Sequence, residues 1–256
     1  MTVALSAAFV ETPLAHRAYH DLSRGRPENS RAAISAAIAA GYGIEIDLQL
    51  SADDEAMVFH DYDLFRLTGE TGPVRARSAA ELRTIALSGG DGETIPTFAE
   101  ILELVGGAVP LLIELKDQDG AMGAHIGPLE VATARALSVY KGPAAVMSFN
   151  PHSVTELARL APNVPRGLTT SDYAPADWPL SRETCDHLRE IPDFDRTGSS
   201  FISHQARDLA RPRVQDLRDN GVPILCWTIR SPQEEAEARQ FADNITFEGY
   251  PAPLPG

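Results

Sequence analysis

Short apolar runs alternate with amphipathic segments along most of the chain. The runs have the length of buried strands, and the segments between most of them repeat their apolar residues every three to four positions, as helices do. The predicted strands cover residues 14–18, 42–50, 56–60, 109–116, 144–149, 164–168, 200–204, 222–229 and 245–247. The predicted helices run from Asn29 or Ser30 to Ala40 and over 96–105, 129–140, 151–160, 208–220 and 232–242.

Repeated strand–helix units call for a parallel sheet, and about eight of them in 256 residues fit a closed (β/α)8 TIM barrel of the α/β class. Two of the helices begin with a clear signal, since Asn150-Pro151 and Ser231-Pro232 each place a capping side chain before a proline. The alternative fold is an open, doubly wound sheet. That fold usually carries a glycine-rich phosphate loop, and neither GxGxxG nor GxxxxGK[ST] follows a predicted strand.

The stretch 61–94 is too long for an ordinary connection between a strand and a helix. We therefore predict a small, partly helical insertion there, after an early strand and on the active rim of the barrel. Composition does not change sharply along the chain, and α/β barrels of this size are often one domain. Residues 1–256 are accordingly predicted to form a single domain.

Carboxylates occur where a covered strand would be expected to carry apolar side chains. In the strand 42–50, Glu45 and Asp47 alternate with isoleucines, and in the strand 109–116 Glu114 and Lys116 share one face. Both faces of a barrel strand are covered, so this alternation directs the charges into the barrel interior. Like charges at such positions are costly without a partner.

Two interpretations of this cluster are open. The residues could form a satisfied layer of salt bridges and polar contacts. Alternatively, the oxygens of Glu45, Asp47 and Glu114 hold a hard divalent cation, Mg²⁺ or Ca²⁺. Three acids outnumber one lysine, and barrel strands end at active sites, which favours the cation. Zinc is disfavoured because the sequence has no HxH, HExxH or cysteine cluster.

Two histidines stand at the ends of predicted strands, His16 after residue 15 and His60 after residue 59. A single histidine at such a place is usually structural. Two of them on the rim that carries the acidic cluster favour a general acid and a general base. The other histidines have weaker surroundings, and His204 is the strongest exception among them.

Charge and composition exclude some partners. The chain has 36 acidic residues against 22 lysines and arginines, a formal net charge of -14, and no basic stripe, so no nucleic-acid partner is expected. The same charge disfavours anionic membrane surfaces. An anionic substrate would need a metal ion or a few well-placed cations to offset the field of the whole protein.

The amino-terminal sequence has no basic segment followed by a long apolar one, and no run of about 18 apolar residues occurs in the chain. These features predict a cytoplasmic protein without stable membrane association. Cys185 and Cys226 form no CxxC pattern, and we expect no disulfide between them. The oligomeric state is left open by the sequence.

Seven short motifs, taken in chain order, resemble those of the glycerophosphodiester phosphodiesterase family. They are His16-Arg17, PENS at 27–30, IEIDLQLSAD at 44–53, VFHDYDLFRLTG at 58–69, IPTFAEIL at 95–102, IELK at 113–116 and WTI at 227–229. Each motif is weak alone, but seven in the family's order and approximate spacing are specific. The resemblance covers most of the chain.

The resemblance implies a TIM-barrel phosphoric diester hydrolase that converts glycerophosphodiesters to sn-glycerol 3-phosphate and an alcohol with a divalent cation. It also implies a role for each of the matching residues. These are metal ligation by Glu45, Asp47 and Glu114, proton exchange by His16 and His60, phosphate binding by Arg17 and Lys116, and a wall of the glycerol pocket at Trp227. Trp227 could equally be a buried aromatic of the barrel rim.

Three departures from the family pattern stand out. Ala18 replaces the glycine of the family's HRG motif, and the loop before PENS is lengthened by the sequence HDLSRGR. The family's TDxP sequence near the carboxyl end is replaced by residues 247–251, so the role of its aspartate is in doubt.

Other functions are compatible with the same residues. A phospholipase D-like or phosphoinositide phospholipase C-like barrel would share paired histidines and a metal. A non-catalytic glycerophosphodiester-binding barrel would need neither histidine nor all three acids. A sugar isomerase or aldolase could use Lys116 as a Schiff base.

Overall fold

Eight parallel strands close into a barrel in the computed structural model, which describes residues 2–255. The order around the barrel is β1, β2, β4, β5, β6, β7, β8, β9 and back to β1. The strands are β1 (Leu14–Ala15), β2 (Gly43–Leu50), β3 (Ala56–Val58), β4 (Leu111–Leu115), β5 (Ala144–Ser148), β6 (Arg166–Thr170), β7 (Phe201–Gln205), β8 (Ile224–Ile229) and β9 (Asn244–Phe247). The predicted (β/α)8 TIM barrel is thereby confirmed.

Helices fill most of the connections between the strands, as the periodicity predicts. They are α1 (Ala8–Glu11), α2 (Arg31–Ala40), α3 (Phe65–Thr68), α4 (Ala79–Leu82), α5 (Phe98–Val105), α6 (Pro128–Leu137), α7 (Pro151–Leu160), α8 (Arg182–Arg189), α9 (Pro212–Asp219) and α10 (Pro232–Ala238). The predicted cap signals are confirmed, because Asn150 accepts from the backbone of His152 and Ser231 from that of Glu234. The polar helix α8 was not predicted.

Side chains on the two faces of the strands enter different environments. Ile44, Ile46 and Leu48 of β2 belong to the main core between the barrel and its helices. Leu112 of β4 belongs instead to a smaller apolar cluster with Phe9, Leu14, Ala145, Met147, Phe201 and Leu225. Since Leu112 has the parity of Glu114, this second cluster marks the barrel interior, and it fills the end of the barrel where the strands begin. The charged positions therefore lie above an apolar floor.

The predicted strand at 56–60 is not a barrel strand. β3 pairs with β2 in the antiparallel direction, with Leu48 opposite Val58 and Leu50 opposite Ala56. A parallel return would need a crossover of about a dozen residues, and the chain between the two strands has only residues 51–55. The resulting hairpin carries His60 back over the rim of the barrel.

The chain from 61 to 94 contains α3, α4 and a one-turn 3-10 helix at Val74–Ala76. Leu64, Val74 and Leu82 from this stretch pack with Met57 and Phe59 into a separate apolar cluster. The stretch is thus anchored to the hairpin of β2 and β3.

Cys185 and Cys226 are both buried free thiols. Over residues 2–255, no helix is both long enough and apolar enough to cross a bilayer.

Candidate active site

All eight residues that the sequence predicts for the site line one cavity of about 170 Å³ at the carboxyl ends of the strands. Different elements supply them, so the closed barrel brings distant parts of the chain together. The residues are His16 and Arg17 after β1, Glu45 and Asp47 in β2, His60 after β3, Glu114 in β4, Lys116 after β4, and Trp227 in β8.

Two larger surface grooves have volumes of about 680 and 600 Å³, and the second adjoins the smaller cavity, because Trp227, Thr228 and Arg230 line both. The first lies near the ends of α6 and α7, and Lys141 is the charged residue of its lining. The second lies between β8 and α10 and is lined by two arginines and two glutamates. Neither lining includes a histidine, so the smaller cavity has the better chemistry for catalysis.

The three acids of the cluster are buried and close together. Glu45, Asp47 and Glu114 each offer a carboxylate oxygen, and these oxygens lie within 4.8 Å of one another. Asp47 stands beside Glu114 in the register of β2 and β4, which explains the closeness. Asp47 is also held by Asn29, whose Nδ2 donates to its Oδ2 at 2.9 Å.

The charges around the acids are unevenly distributed. Burial alone would raise the pKa of Asp47, but the nearby charges of Lys116, His60 and Arg17 outweigh it and hold that pKa far below its ordinary value. Burial raises the pKa of Glu45 well above its ordinary value, and the like charges of Asp47 and Glu114 raise it further. Ionisation of Glu45 is therefore unfavourable beside the other two carboxylates.

This donor set fits a hard divalent cation. Mg²⁺ and Ca²⁺ bind oxygen ligands at about 2.0 to 2.6 Å, so two oxygens on opposite sides of one ion are up to roughly 5 Å apart. The spacing of 4.8 Å or less satisfies that condition. A dication would also remove the electrostatic cost of ionising Glu45. Glu45, Asp47 and Glu114 are therefore the residues that could hold the metal.

His16 is oriented by Glu248, which follows directly after β9. The Nδ1 atom of His16 lies 2.5 Å from Glu248 Oε2, and Arg230 Nε lies 2.8 Å from the other oxygen of Glu248. Burial lowers the pKa of His16, although the hydrogen bond to Glu248 partly offsets the effect. His16 is consequently a neutral imidazole near pH 7, with Nδ1 held and Nε2 left for chemistry.

His60 has a similar arrangement with its neighbour in the sequence. Its Nδ1 atom lies 2.6 Å from Asp61 Oδ1. Burial would raise the pKa of Asp61, but its hydrogen bonds to His60 and Arg66 outweigh burial and keep that carboxyl ionised. Each of the two histidines thus pairs Nδ1 with a carboxylate, the arrangement that fixes a catalytic imidazole in one tautomer.

Arg17 is placed by a tight turn after β1. Arg17 and Ala18 both have left-handed backbones, with φ of 52° and 67°. Ala18 therefore keeps the conformation that a glycine would adopt more easily, at a cost on the order of 1 kcal/mol. The turn lets the backbone N–H of Arg17 donate to Glu45 Oε2 at 2.9 Å, while its guanidinium lines the cavity.

Lys116 is the second cation of the cavity. Its Nζ lies 2.7 Å from Asp47 Oδ1 and also contacts Glu114. Burial would lower the pKa of Lys116, but these two carboxylates outweigh it and raise the pKa above its ordinary value. A Schiff-base lysine must lose its proton, so this environment opposes the aldolase alternative and favours a fixed positive charge.

Aromatic side chains form one wall of the cavity. Trp227 packs edge to face against Phe149, with ring centroids 5.5 Å apart, and both residues line the cavity. The indole N–H of Trp227 donates to the carbonyl of Ser203 at 3.0 Å, which fixes the ring. Trp227 is thus both a packed rim aromatic and a part of the cavity wall.

Sequence reasoning missed Glu248, Arg230 and Phe149 as members of the site. Glu248 and Phe149 each come directly after a barrel strand, and Arg230 follows β8 in the same way. Residues at these places meet at the carboxyl-terminal face of the barrel, so their positions carried a usable signal. Glu248 lies within residues 247–251, which replace the family's TDxP sequence.

The sequence profile of the glycerophosphoryl diester phosphodiesterase family matches residues 16–244 of the chain. A glycerophosphodiester phosphodiesterase of Caldanaerobacter subterraneus subsp. tengcongensis is 33% identical over 234 residues. The match covers 87% of this chain and 89% of that relative. The resemblance drawn from the motifs is therefore confirmed over nearly the whole sequence.

Solved structures agree with the sequence match. An Oleispira antarctica phosphodiesterase in complex with the product sn-glycerol-3-phosphate is 25% identical, with a TM-score of 0.77, over 95% of this chain and 96% of that one. A glycerophosphodiester phosphodiesterase of Parabacteroides distasonis, 22% identical with a TM-score of 0.71 over 92% of each chain, shares the fold. The chain belongs to the glycerophosphoryl diester phosphodiesterase family of hydrolases.

Proposed function

We propose that the protein hydrolyses glycerophosphodiesters to sn-glycerol 3-phosphate and an alcohol, with the help of a divalent cation. The observation that carries the proposal is the convergence, in one cavity, of three buried acids and two histidines. Both histidines have Nδ1 paired with a carboxylate. The product bound to the Oleispira antarctica relative supports the choice of substrate.

The cation is Mg²⁺ or Ca²⁺, and Glu45, Asp47 and Glu114 are its ligands. When bound, such an ion supplies Lewis-acid stabilisation of negative charge on the phosphate oxygens. Arg17 and Lys116 line the same cavity and bind the phosphate by charge. These two groups are the placed cations that an anionic substrate needs in a protein of net charge -14.

The two histidines exchange protons with the substrate. In the proposed reaction, the glycerol hydroxyl next to the phosphodiester gives its proton to one imidazole and its oxygen bonds to phosphorus. The bond from phosphorus to the leaving alcohol breaks, and the other imidazole protonates that alcohol. Water then bonds to phosphorus and gives a proton to the imidazole that protonated the leaving alcohol. The bond from phosphorus to the oxygen that first attacked breaks, the other imidazole returns the proton to that oxygen, and the phosphate stays on carbon 3 of glycerol. A neighbouring hydroxyl makes the attack intramolecular, which lowers its entropic cost.

The size of the cavity indicates which part of the substrate lies inside. A cavity of about 170 Å³ is smaller than typical pockets for drug-sized ligands, which measure about 300 to 1,000 Å³. This space suits a glycerol phosphate unit against Trp227 and Phe149. The head group of the leaving alcohol then extends toward the rim, and we expect several alcohols to be accepted.

An enzyme-coupled assay for sn-glycerol 3-phosphate tests this function with glycerophosphocholine as substrate. We expect release of the product by the wild type, its loss on chelation, and its recovery with Mg²⁺ or Ca²⁺. His16→Asn and His60→Asn each lower kcat by about 100-fold or more, since acid–base groups contribute that much. His152→Asn, at an exposed position on α7, is the matched control.

Two outcomes contradict the proposal. One is full activity after chelation, which removes the role of the cation. The other is activity in both histidine variants equal to that of His152→Asn.

A substrate comparison tests the attacking group, because the analogue of glycerophosphocholine that lacks the hydroxyl next to the phosphodiester should react poorly. Equal rates for the two substrates would favour direct attack by water.

A further inference from the structure

Arg66 lies outside the cavity and occupies the centre of a chain of ion pairs that reaches both sides of it. The residue belongs to α3, in the stretch that follows the hairpin of β2 and β3. Its guanidinium makes four hydrogen bonds to two carboxylates. Nε and Nη2 donate to Asp61 at 2.6 and 2.8 Å, and Nη1 and Nη2 donate to Glu28 at 2.9 and 2.8 Å.

Each carboxylate held by Arg66 also contacts a residue that lines the cavity. Asp61 Oδ1 lies 2.6 Å from the Nδ1 atom of His60. Glu28 Oε1 accepts from Nη1 of Arg17 at 2.8 Å. One guanidinium therefore connects, through one carboxylate on each side, to a histidine and to an arginine that both line the cavity.

We propose that Arg66 is a positioning residue, which sets the orientation of His60 and Arg17 together by fixing Asp61 and Glu28. This inference rests on the proposed function, in which His60 moves a proton and Arg17 binds phosphate. Without the guanidinium, the two carboxylates lose the cation between them and repel each other. Asp61 then loses its fixed position toward His60, and Glu28 loses its fixed position toward Arg17.

The shape of the guanidinium is essential to this role. Arginine offers a planar fork of donors that can bind two carboxylates with paired hydrogen bonds, whereas lysine offers a single point charge. Arg66 is also partly open to solvent, with 47% of its side-chain surface exposed. A small guanidinium ion can therefore enter the space that a truncated side chain leaves.

Arg75 provides a matched control in the same stretch of chain. Its side chain is 49% exposed, and its guanidinium donates to Asp54 and to the carbonyl of Ser51, away from the cavity. Replacing Arg75 thus removes a similar arginine and a similar ion pair without touching Asp61 or Glu28. Loss of general stability of this stretch should affect both variants alike.

The kinetic test compares Arg66→Ala, Arg66→Lys and Arg75→Ala with glycerophosphocholine. We expect Arg66→Ala to lower kcat/KM by about 10- to 100-fold, as is typical when the support of a site residue is lost. Both parameters should change, kcat through His60 and KM through Arg17. Arg66→Lys should recover only part of the activity, millimolar guanidinium should restore Arg66→Ala toward wild type, and Arg75→Ala should be unaffected.

A second measurement does not depend on turnover. Nitrogen NMR of histidine rings, assigned with His60→Asn, reports the hydrogen bond of His60 Nδ1 to Asp61. We expect the His60 signal to change in Arg66→Ala, to return with guanidinium and to remain unchanged in Arg75→Ala. If the wild type did not hydrolyse glycerophosphocholine, the proposed function would fail, while these shifts would still support the positioning role.

Three results would overturn the proposal. The first is wild-type kcat and KM in Arg66→Ala. The second is an equal loss of activity in Arg75→Ala, which would indicate general destabilisation of the stretch. The third is a His60 signal that is identical in the wild type and in Arg66→Ala.

Discussion

Glu248 is the residue that most directly controls the chemistry of His16. Its carboxylate receives a hydrogen bond from His16 and an ion pair from Arg230. The hydrogen bond from His16 and the nearby charge of Arg230 hold the pKa of Glu248 far below its ordinary value, so this carboxylate is ionised at neutral pH. A glutamate directly after β9 thus provides the acidic partner of His16.

The Glu248→Gln variant should shift the pH profile in a defined direction. The carboxylate raises the pKa of His16 against the stronger, opposite effect of burial, so its loss lowers that pKa further. We expect the limb of the kcat/KM profile that reports His16 to move to lower pH, while the other limb stays. Movement of the acid limb would assign His16 as the base. Two unmoved limbs, or a shift to higher pH, would contradict the account.

Glu45 should limit stability in the absence of the cation. Its pKa in the folded protein is raised, so the stability that depends on this group is present below its unfolded pKa and is lost as the pH rises through the folded value. We expect Glu45→Gln to raise the melting temperature of the metal-free protein at neutral pH and to abolish the further rise caused by Mg²⁺ or Ca²⁺. In the wild type, cation at 100 times its Kd should add about 2.7 kcal/mol.

Differential scanning calorimetry with and without each cation measures both effects. Gln240→Glu, which changes an exposed residue after α10, is the control. Gln118→Glu would be unsuitable because it adds charge near the site. Equal stabilisation of Glu45→Gln and of the wild type by the cation would contradict the role of Glu45 as a ligand.

At the scale of elements, the alternation in β2 and β4 was sufficient to predict the acidic cluster. Ile44 and Ile46 pack against the helices, so Glu45 and Asp47 had to face the interior. The order and closure of the barrel also followed, because the strand–helix repeat allows few other arrangements. What the alternation could not provide was the partner of His16, because Glu248 is 232 residues away in the sequence and meets His16 only when the barrel closes.

The direction of β3 and the helix α8 were not predicted, for different physical reasons. The apolar run at 56–60 gave no direction for β3, and only the short connection at 51–55 shows that the strand must return antiparallel. The helix α8 was missed because most of its residues are polar and only Cys185 and Leu188 are buried. With two apolar residues among eight, α8 is too polar overall to be distinguished from a surface loop by its apolar positions.

The contact between β6 and β7 gives a prediction about packing in the barrel. Gly167 pairs with Phe201, and a Cβ added to Gly167 would lie 2.5 Å from the phenyl ring. We expect Gly167→Ala to destabilise the protein by about 1 to 3 kcal/mol, as overpacked cores do. Gly123→Ala is the control, since its Cβ would meet an ordinary contact at 3.5 Å. Denaturant unfolding measures both, and equal stability of the two variants would contradict this packing.

At the scale of the whole molecule, a net charge of -14 surrounds a cavity that must accept a phosphate. Long-range repulsion slows the approach of an anion, and salt screens that repulsion. We therefore expect kcat/KM for glycerophosphoglycerol, which carries net negative charge, to rise with ionic strength. The value for the zwitterionic glycerophosphocholine should change little. A fall in kcat/KM with salt for both substrates would show that local cations control the encounter instead.

In the proposed reaction, the bond between phosphorus and the leaving alcohol breaks, and a divalent cation is required. Phosphorus NMR of glycerophosphocholine incubated with the purified protein and Mg²⁺ or Ca²⁺ identifies the product directly. The account predicts a resonance of sn-glycerol 3-phosphate, absent with chelator and absent with His16→Asn or His60→Asn. Formation of phosphocholine, which would mean cleavage on the glycerol side, or persistence of the substrate under all conditions, would contradict it.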